Sequence, residues 1–169
     1  MSFLYLEQAQ GLKKDKIKIM SLEKNEELVF RRADPEDLQE VYSFVCTLEE
    51  KEMNYEKFCS RFRNQVISPD ILLLLAERAG KPVGFLSCHL QNVLHHDGDI
   101  YEIVEFIVSP EYRGSGVGKK MLGFLDLQLK DRDYELIELA SNVRRDRAHQ
   151  FYEQQGFNRS HFKFTKYKH

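Results

Sequence analysis

The chain has 169 residues, 42% of them hydrophobic, which gives core enough for one domain and too little for two. Its 25 lysines and arginines against 27 aspartates and glutamates leave a formal net charge of -2, so no global basic field holds nucleic acid or an anionic membrane, and any anion site has to be local. Cys46, Cys59 and Cys88 are widely spaced with no C-x-x-C pair, and no apolar run nears the roughly 20 residues of a spanning helix, so a soluble, reduced, cytoplasmic protein is expected.

Residues 1–26 mix apolar side chains with Lys13, Lys14, Lys16 and Lys18 without a clean period, and read as an N-terminal appendage to a single domain spanning 27–169. Leu28 to Arg31 reads as a short strand, and Asp34-Pro35 supplies an N-cap and a first-turn proline. Leu38, Val41, Tyr42, Val45 and Leu48 then recur at helical steps. A second amphipathic helix, roughly Tyr55 to Asn64, carries Phe58 and Phe62 and is broken by Ser68-Pro69-Asp70.

Ile71 to Glu77 and Val83 to Leu90 are apolar runs joined by Ala79-Gly80-Lys81, the pattern of a hairpin. After a loop containing His95-His96-Asp97-Gly98 come a long strand, Ile100 to Val108, and a helix, Gly116 to Lys130, with Met121, Leu122, Leu125 and Leu129 on its inner face. Leu136 to Ala140 is a buried strand, Arg145 to Gln155 a helix stopped by Gly156, and the chain is expected to close with an aromatic strand containing Phe162, Phe164 and Tyr167. This order specifies a mixed α/β layer architecture.

The most informative segment is the turn Arg113-Gly114-Ser115-Gly116-Val117-Gly118 between strand and helix. A helix start offers unpaired N–H groups and the positive end of the dipole, and glycines let a phosphate approach them. A Walker A loop would need glycine at Arg113 and Ser or Thr at Lys120, and a G-x-G-x-x-G fingerprint would need glycine at Lys119 or Met121; none is present. His95 and His96, beside Asp97 and Asp99, are residues able to bind an anion, a proton or a metal.

Val108-Ser109-Pro110-Glu111-Tyr112-Arg113-Gly114-Ser115-Gly116-Val117-Gly118 resembles motif A of the GNAT acetyltransferase superfamily, and Ala148 to Phe157 resembles its motif B. With the element order, the resemblance runs from about Leu28 to Lys166. It implies a GNAT fold, with a central mixed, twisted sheet of about six or seven strands and about four helices. It implies acetyl-coenzyme A as cosubstrate, its pyrophosphate on the amides of Arg113, Gly114, Ser115, Gly116, Val117, Gly118 and Lys119, and its pantetheine arm along Ile107, Val108 and Asn142. The Val108 N–H would meet the oxyanion.

Acetyl transfer to an amine also needs a base and an acid. By the same resemblance Tyr152 stands where the family places an acid for the thiolate, and Glu102 where several members carry their base. Glu105 is the reserve: in a regular strand the two glutamates, three positions apart, lie on opposite faces unless a bulge intervenes.

Leu94-His95-His96, Ser141 to Arg145, Ala148 to Tyr152 and Ser160 to Lys166 are similar to segments of aminoalkylphosphonate N-acetyltransferases, a subfamily associated with divalent metals. The acceptor then expected is a small primary amine, an aminoalkylphosphonate in the sharpest form. Arg61, Arg63, His95, His96 and Lys166 are the groups available for the phosphonate, with a divalent metal as a further option. Arg145 departs from the asparagine of many family members. A peptide, protein or polyamine N-acetyltransferase is the competing enzyme reading, and a non-catalytic acetyl-coenzyme A sensor the competing binding module. Exposed strand edges and the appendage make a homodimer an option.

Overall fold

The computed structural model describes residues 27–168 and, as backbone alone, the two-residue strand β1 (Ile17–Lys18). The remainder of the expected appendage lies outside the described residues. Six strands follow in chain order across one sheet: β1, β2 (Leu28–Arg32), β3 (Ile71–Arg78), β4 (Lys81–Gln91), β5 (Ile100–Val108) and β6 (Leu136–Leu139). Neighbours are antiparallel except β5 and β6, which run parallel. Five of these strands lie from Leu28 onward, and the count reaches the lower end of the expected six or seven only with β1.

Helices α1 (Leu38–Glu49) and α2 (Tyr55–Val66) cover one face of the sheet, and α3 (Val117–Leu129) covers the other. On the first, Val41, Phe44, Val45 and Phe62 pack over Leu73, Leu75, Phe85 and Ile107. On the second, Met121, Phe124, Leu125 and Leu129 pack over Phe30, Leu74, Leu86 and Ile103. Burying each such Leu or Phe is worth about 1.5–3 kcal/mol. At Gly84 the second contact is so close that a Cβ would meet Met121 Sδ at 2.7 Å.

Local chemistry sets the boundaries. The Asp34 carboxylate accepts from Glu36 N–H at the head of a 3-10 turn that runs into α1, as Asp34-Pro35 predicts. Buried Arg31 clamps that turn to the sheet, donating to both oxygens of Asp37 at 2.6 and 2.7 Å and to Glu77 at 2.7 Å. Ala79 and Gly80, with φ of 50° and 73°, form the tight hairpin turn between β3 and β4. α4 (Asp146–Gln154) closes the regular structure.

The expected final strand is absent. Phe162, Phe164 and Tyr167 are 86%, 92% and 80% exposed, and residues 157–168 pair with no strand. Aromatic alternation supplies one apolar face, but a strand also needs ladder hydrogen bonds from a neighbour. Here Arg159 instead pairs with Glu153 of α4 at 3.0 Å.

Candidate active site

The site grows from the geometry of β5. Its pairing with β6 covers only Ile100 to Ile103, opposite Leu136 to Leu139, so among the described residues β5 runs on from Val104 to Val108 with that edge vacated. Ser109 N–H donates to Val83 O at 2.9 Å, which directs the backbone groups of Ile107 toward β4 and, by alternation, those of Val108 toward the vacated side. The backbone groups that face the unpaired side are therefore those of Val108 and Phe106, while Ile107 is turned into the ladder opposite Phe85.

At the end of β5 the chain passes a 3-10 turn, Pro110–Tyr112, and enters the glycine-rich turn. Gly114 and Gly116 have φ of 77° and 83°, a region where an L side chain is strained, and nothing lies within 4 Å of a Cβ built on either. Gly116 is the N-cap of α3 and contributes no side-chain cap, so the first-turn amides of this 13-residue helix remain available to an anion. Exposed Arg113 folds back to donate from Nε to Val108 O at 3.0 Å, which keeps its guanidinium at the mouth of the turn. Ser115 Oγ donates to Tyr112 O at 2.6 Å. The backbone arrangement fits a pyrophosphate. Exposed Lys119 also lines a cleft of about 210 Å³ with Asp126, Ile137 and Phe157 on the α3 face.

The two glutamates of β5 share a face. Ser87 pairs with Glu105 but Cys88 with Ile103, so Val104 is an extra, bulged residue, and the spacing of three that would separate Glu102 from Glu105 in a regular strand brings them together. Ser87 Oγ donates to a Glu105 carboxylate oxygen and accepts from Glu105 N–H at 3.1 Å. Gln91 Nε2 donates to Glu102 Oε2 at 3.2 Å. His89 stands directly opposite Glu102. Ser87, His89 and Gln91 thus complete a polar row that the expectations from sequence omitted. Their signal is the switch at the end of β4 from a continuous apolar run to strict polar/apolar alternation, Ser87-Cys88-His89-Leu90-Gln91.

The Tyr152 ring lies 6.3 Å from Phe106 of β5, 5.4 Å from Phe151 and 5.8 Å from Phe157. Burial pushes its phenol up, with the nearby Arg145 guanidinium pulling partly back, so it stays protonated at neutral pH. Arg145, at the start of α4, donates from Nη2 to Leu48 O at 2.6 Å in the last turn of α1. Asn142 accepts from Arg144 N–H at its side chain and from His149 at its carbonyl, shaping the loop before α4. Gly118 ties the two motifs together, since a Cβ there would meet the Phe151 ring at 3.2 Å. Burial pushes the Cys88 thiol up to about 12, with Glu102 adding to the effect, which makes it a packing group and a poor nucleophile.

No hydrogen bond joins the remaining expected residues to this row among the described residues. His96 Nδ1 is 2.9 Å from a Glu135 carboxylate oxygen, and the other oxygen accepts from Gly98 N–H, so the loop bearing His95 and His96 is tied to the start of β6. Lys166 lies in the exposed C-terminal segment, and Arg61 and Arg63 are exposed on α2. Among the described residues no group of three or more His, Cys, Asp or Glu is arranged to hold a metal ion. None of their helices is long and apolar enough to cross a membrane.

Known proteins carry both the sequence and the fold. The profile of the Acetyltransferase (GNAT) family matches residues 35–157. The aminoalkylphosphonate N-acetyltransferase of Salmonella typhimurium is 38% identical over 136 residues, covering 80% of this chain and 88% of that protein. Among solved structures, the aminoglycoside N-acetyltransferase AAC(6')-Iy in complex with CoA superposes with a TM-score of 0.76 at 12% identity, covering 88% of this chain and 99% of that one. The aminoglycoside 6'-N-acetyltransferase AAC(6')-Ih of Acinetobacter baumannii does so at 0.73 and 14% identity, covering 84% and 98%.

Proposed function

Because the chain belongs to the GNAT acetyltransferase family and is an acetyl-CoA-dependent N-acetyltransferase, we propose that its acceptor is a small primary amine, an aminoalkylphosphonate, and that Glu102 and Tyr152 carry the proton transfers. The observation that carries this reading is the polar row of Glu102, Glu105, Ser87 and Gln91 beside the edge of β5 that β6 leaves open. The phosphonate is the substrate class named for the Salmonella relative.

The chemistry then runs as follows. The pyrophosphate rests on the first-turn amides of α3 and the pantetheine arm lies along Phe106 and Val108, placing the thioester near the bulge. The acceptor enters as an ammonium, gives one proton to the Glu102 carboxylate, and its freed lone pair attacks the carbonyl carbon. The carbonyl oxygen gathers charge against the Val108 N–H. Collapse breaks the C–S bond, the Tyr152 phenol protonates the departing thiolate, and the proton released by the nitrogen restores the phenol. The overall change is amide, thiol and one proton to solvent. Arg145, between Leu48 O and Tyr152, is the cation best situated for the phosphonate.

Two half-buried carboxylates on one face favour a second reading, in which the acceptor is a polyamine whose distal ammonium pairs with Glu105. A thiol-release assay across aminoalkylphosphonates, polyamines and peptides separates them. Turnover with phosphonates above the other classes is expected, and none above background with any phosphonate removes that assignment.

A further inference from the structure

The polar row contains a group that the transfer just described does not use. Ser87 and Glu105 satisfy one another, and Gln91 is bonded to Glu102. His89, between Ser87 and Gln91 on the same face of β4, has its Nε2 buried with no hydrogen-bond partner. Among the described residues that condition is shared only by Arg78 Nε. A buried polar atom left unpaired is unfavourable, and such atoms concentrate where chemistry needs them.

Its surroundings define what the ring can do. Across the ladder, His89 faces Glu102 on β5, and the bulge at Val104 keeps Glu105 on the same face. On the β3 side its partner is the apolar Ile71. On the covering helices Tyr42 and Cys46 are half-buried, while the charged residues Glu40, Glu49, Glu56, Lys57, Arg61 and Arg63 are exposed. The charges acting on the ring are therefore those of Glu105 and Glu102. Burial lowers the imidazole below its ordinary value more than the two carboxylates raise it, so the ring is neutral at neutral pH and free to accept a proton.

We propose that His89 is the positioning residue behind Glu102, taking onto Nε2 the proton that Glu102 removes from the acceptor ammonium and returning Glu102 to its carboxylate form. The inference rests on the acceptor reading above. The proton moves from the ammonium to a Glu102 oxygen, then, through one bridging water because Nε2 has no protein partner at rest, to the neutral imidazole. The resulting imidazolium is favoured by the charges of Glu105 and Glu102 until its proton leaves to solvent after the product. No electron changes owner, and one proton reaches water per amide formed. A carboxylate alone would have to release that proton before the next ammonium could bind; with the imidazole behind it, the base is reset within the turnover.

The test has two arms. In the first, the His89 ring is followed by NMR through a pH titration of the wild type, Glu102→Gln and Glu105→Gln. Removing either carboxylate removes an attraction for the imidazolium, so the midpoint should fall in both variants, and further in Glu105→Gln, whose carboxylate acts more strongly on the ring. A midpoint unmoved in both variants overturns the proposal. In the second arm, His89→Gln and His89→Phe are assayed with whichever amine turns over. Loss of about ten- to a hundredfold in kcat/KM at pH 7 is expected, with the acid limb of the pH profile displaced and acetyl-CoA affinity and Tm close to wild type. A purely structural His89 would give a lowered Tm and an unmoved pH profile, which overturns the proposal. If no amine turns over with the wild type, the acceptor reading has failed, and the NMR coupling alone decides on His89.

Discussion

The turn from Arg113 to Gly118 and the polar row on β4 and β5 are built in opposite ways. The turn is contiguous, exposed, and works through backbone amides and two glycines at positive φ. The row is half-buried, works through side chains, and joins residues 11 positions apart, Gln91 and Glu102, and 18 apart, Ser87 and Glu105. A phosphate seat needs donors at a helix start, and any strand-turn-helix supplies them. A proton-handling face needs particular groups at particular orientations, and only strand register can bring them together. On the proposed reading the cofactor half is thus a local device and the acceptor half a product of the tertiary fold, so they should fail independently.

Glu102→Gln should have the largest effect, lowering kcat by about a hundred- to a thousandfold while isothermal titration shows unchanged acetyl-CoA affinity. A variant with wild-type kcat would remove the row from the chemistry. Gly116→Glu acts on the other half: a side chain at φ of 83° is strained and sets a carboxylate against the phosphate, so acetyl-CoA should bind about ten- to a hundredfold more weakly, with kcat at saturation little changed. Unchanged affinity in the folded variant would take the pyrophosphate off the turn.

Tyr152→Phe lies between the halves and should lower kcat about tenfold. Because burial raises the phenol above its ordinary value of 10.0, the wild type should show no loss of activity from this group as pH rises to 10. An alkaline limb below that, abolished in Tyr152→Phe, would contradict the assignment. The smallest effect belongs to Glu135→Gln. Its hydrogen bond with His96 holds the Glu135 carboxyl below the usual 4.5, so the tether of the His95-His96 loop persists above that value and weakens as pH falls through the lowered one. The Gln variant should keep kcat within about twofold while the Gly98 amide exchanges a few times faster. A large fall in kcat would draw the loop back into the acceptor site.

The same contrast governs what can be read from the chain. The Asp34 cap, the hairpin turn at Ala79-Gly80 and the glycine turn are each encoded by neighbours in sequence, and each forms where expected. The shared face of Glu102 and Glu105 depends on a bulge that no local pattern announces. The bond from Arg145 to Leu48 spans 97 positions, so Arg145 reads from the sequence alone as nothing more than a departure from asparagine. The aromatic tail misleads for a related reason. Alternation at Phe162 and Phe164 describes a segment's own face and says nothing of the edge it must join.

Val104 has a consequence of another kind. Deleting it would leave Glu102 and Glu105 two positions apart in a regular strand and so still on one side with Ile107; in the chain as it stands, the bulge absorbs the extra residue and keeps them there. What it adds is a bend just beyond Ile103, where β6 lets go. A chain lacking Val104 would be free to zip β6 further along β5, gaining ladder hydrogen bonds and closing the gap that the proposed reading gives to the pantetheine arm. Such a deletion should yield a more heat-resistant protein with a worse enzyme inside it, and the wild type would be seen to hold its doorway open at the expense of its own sheet.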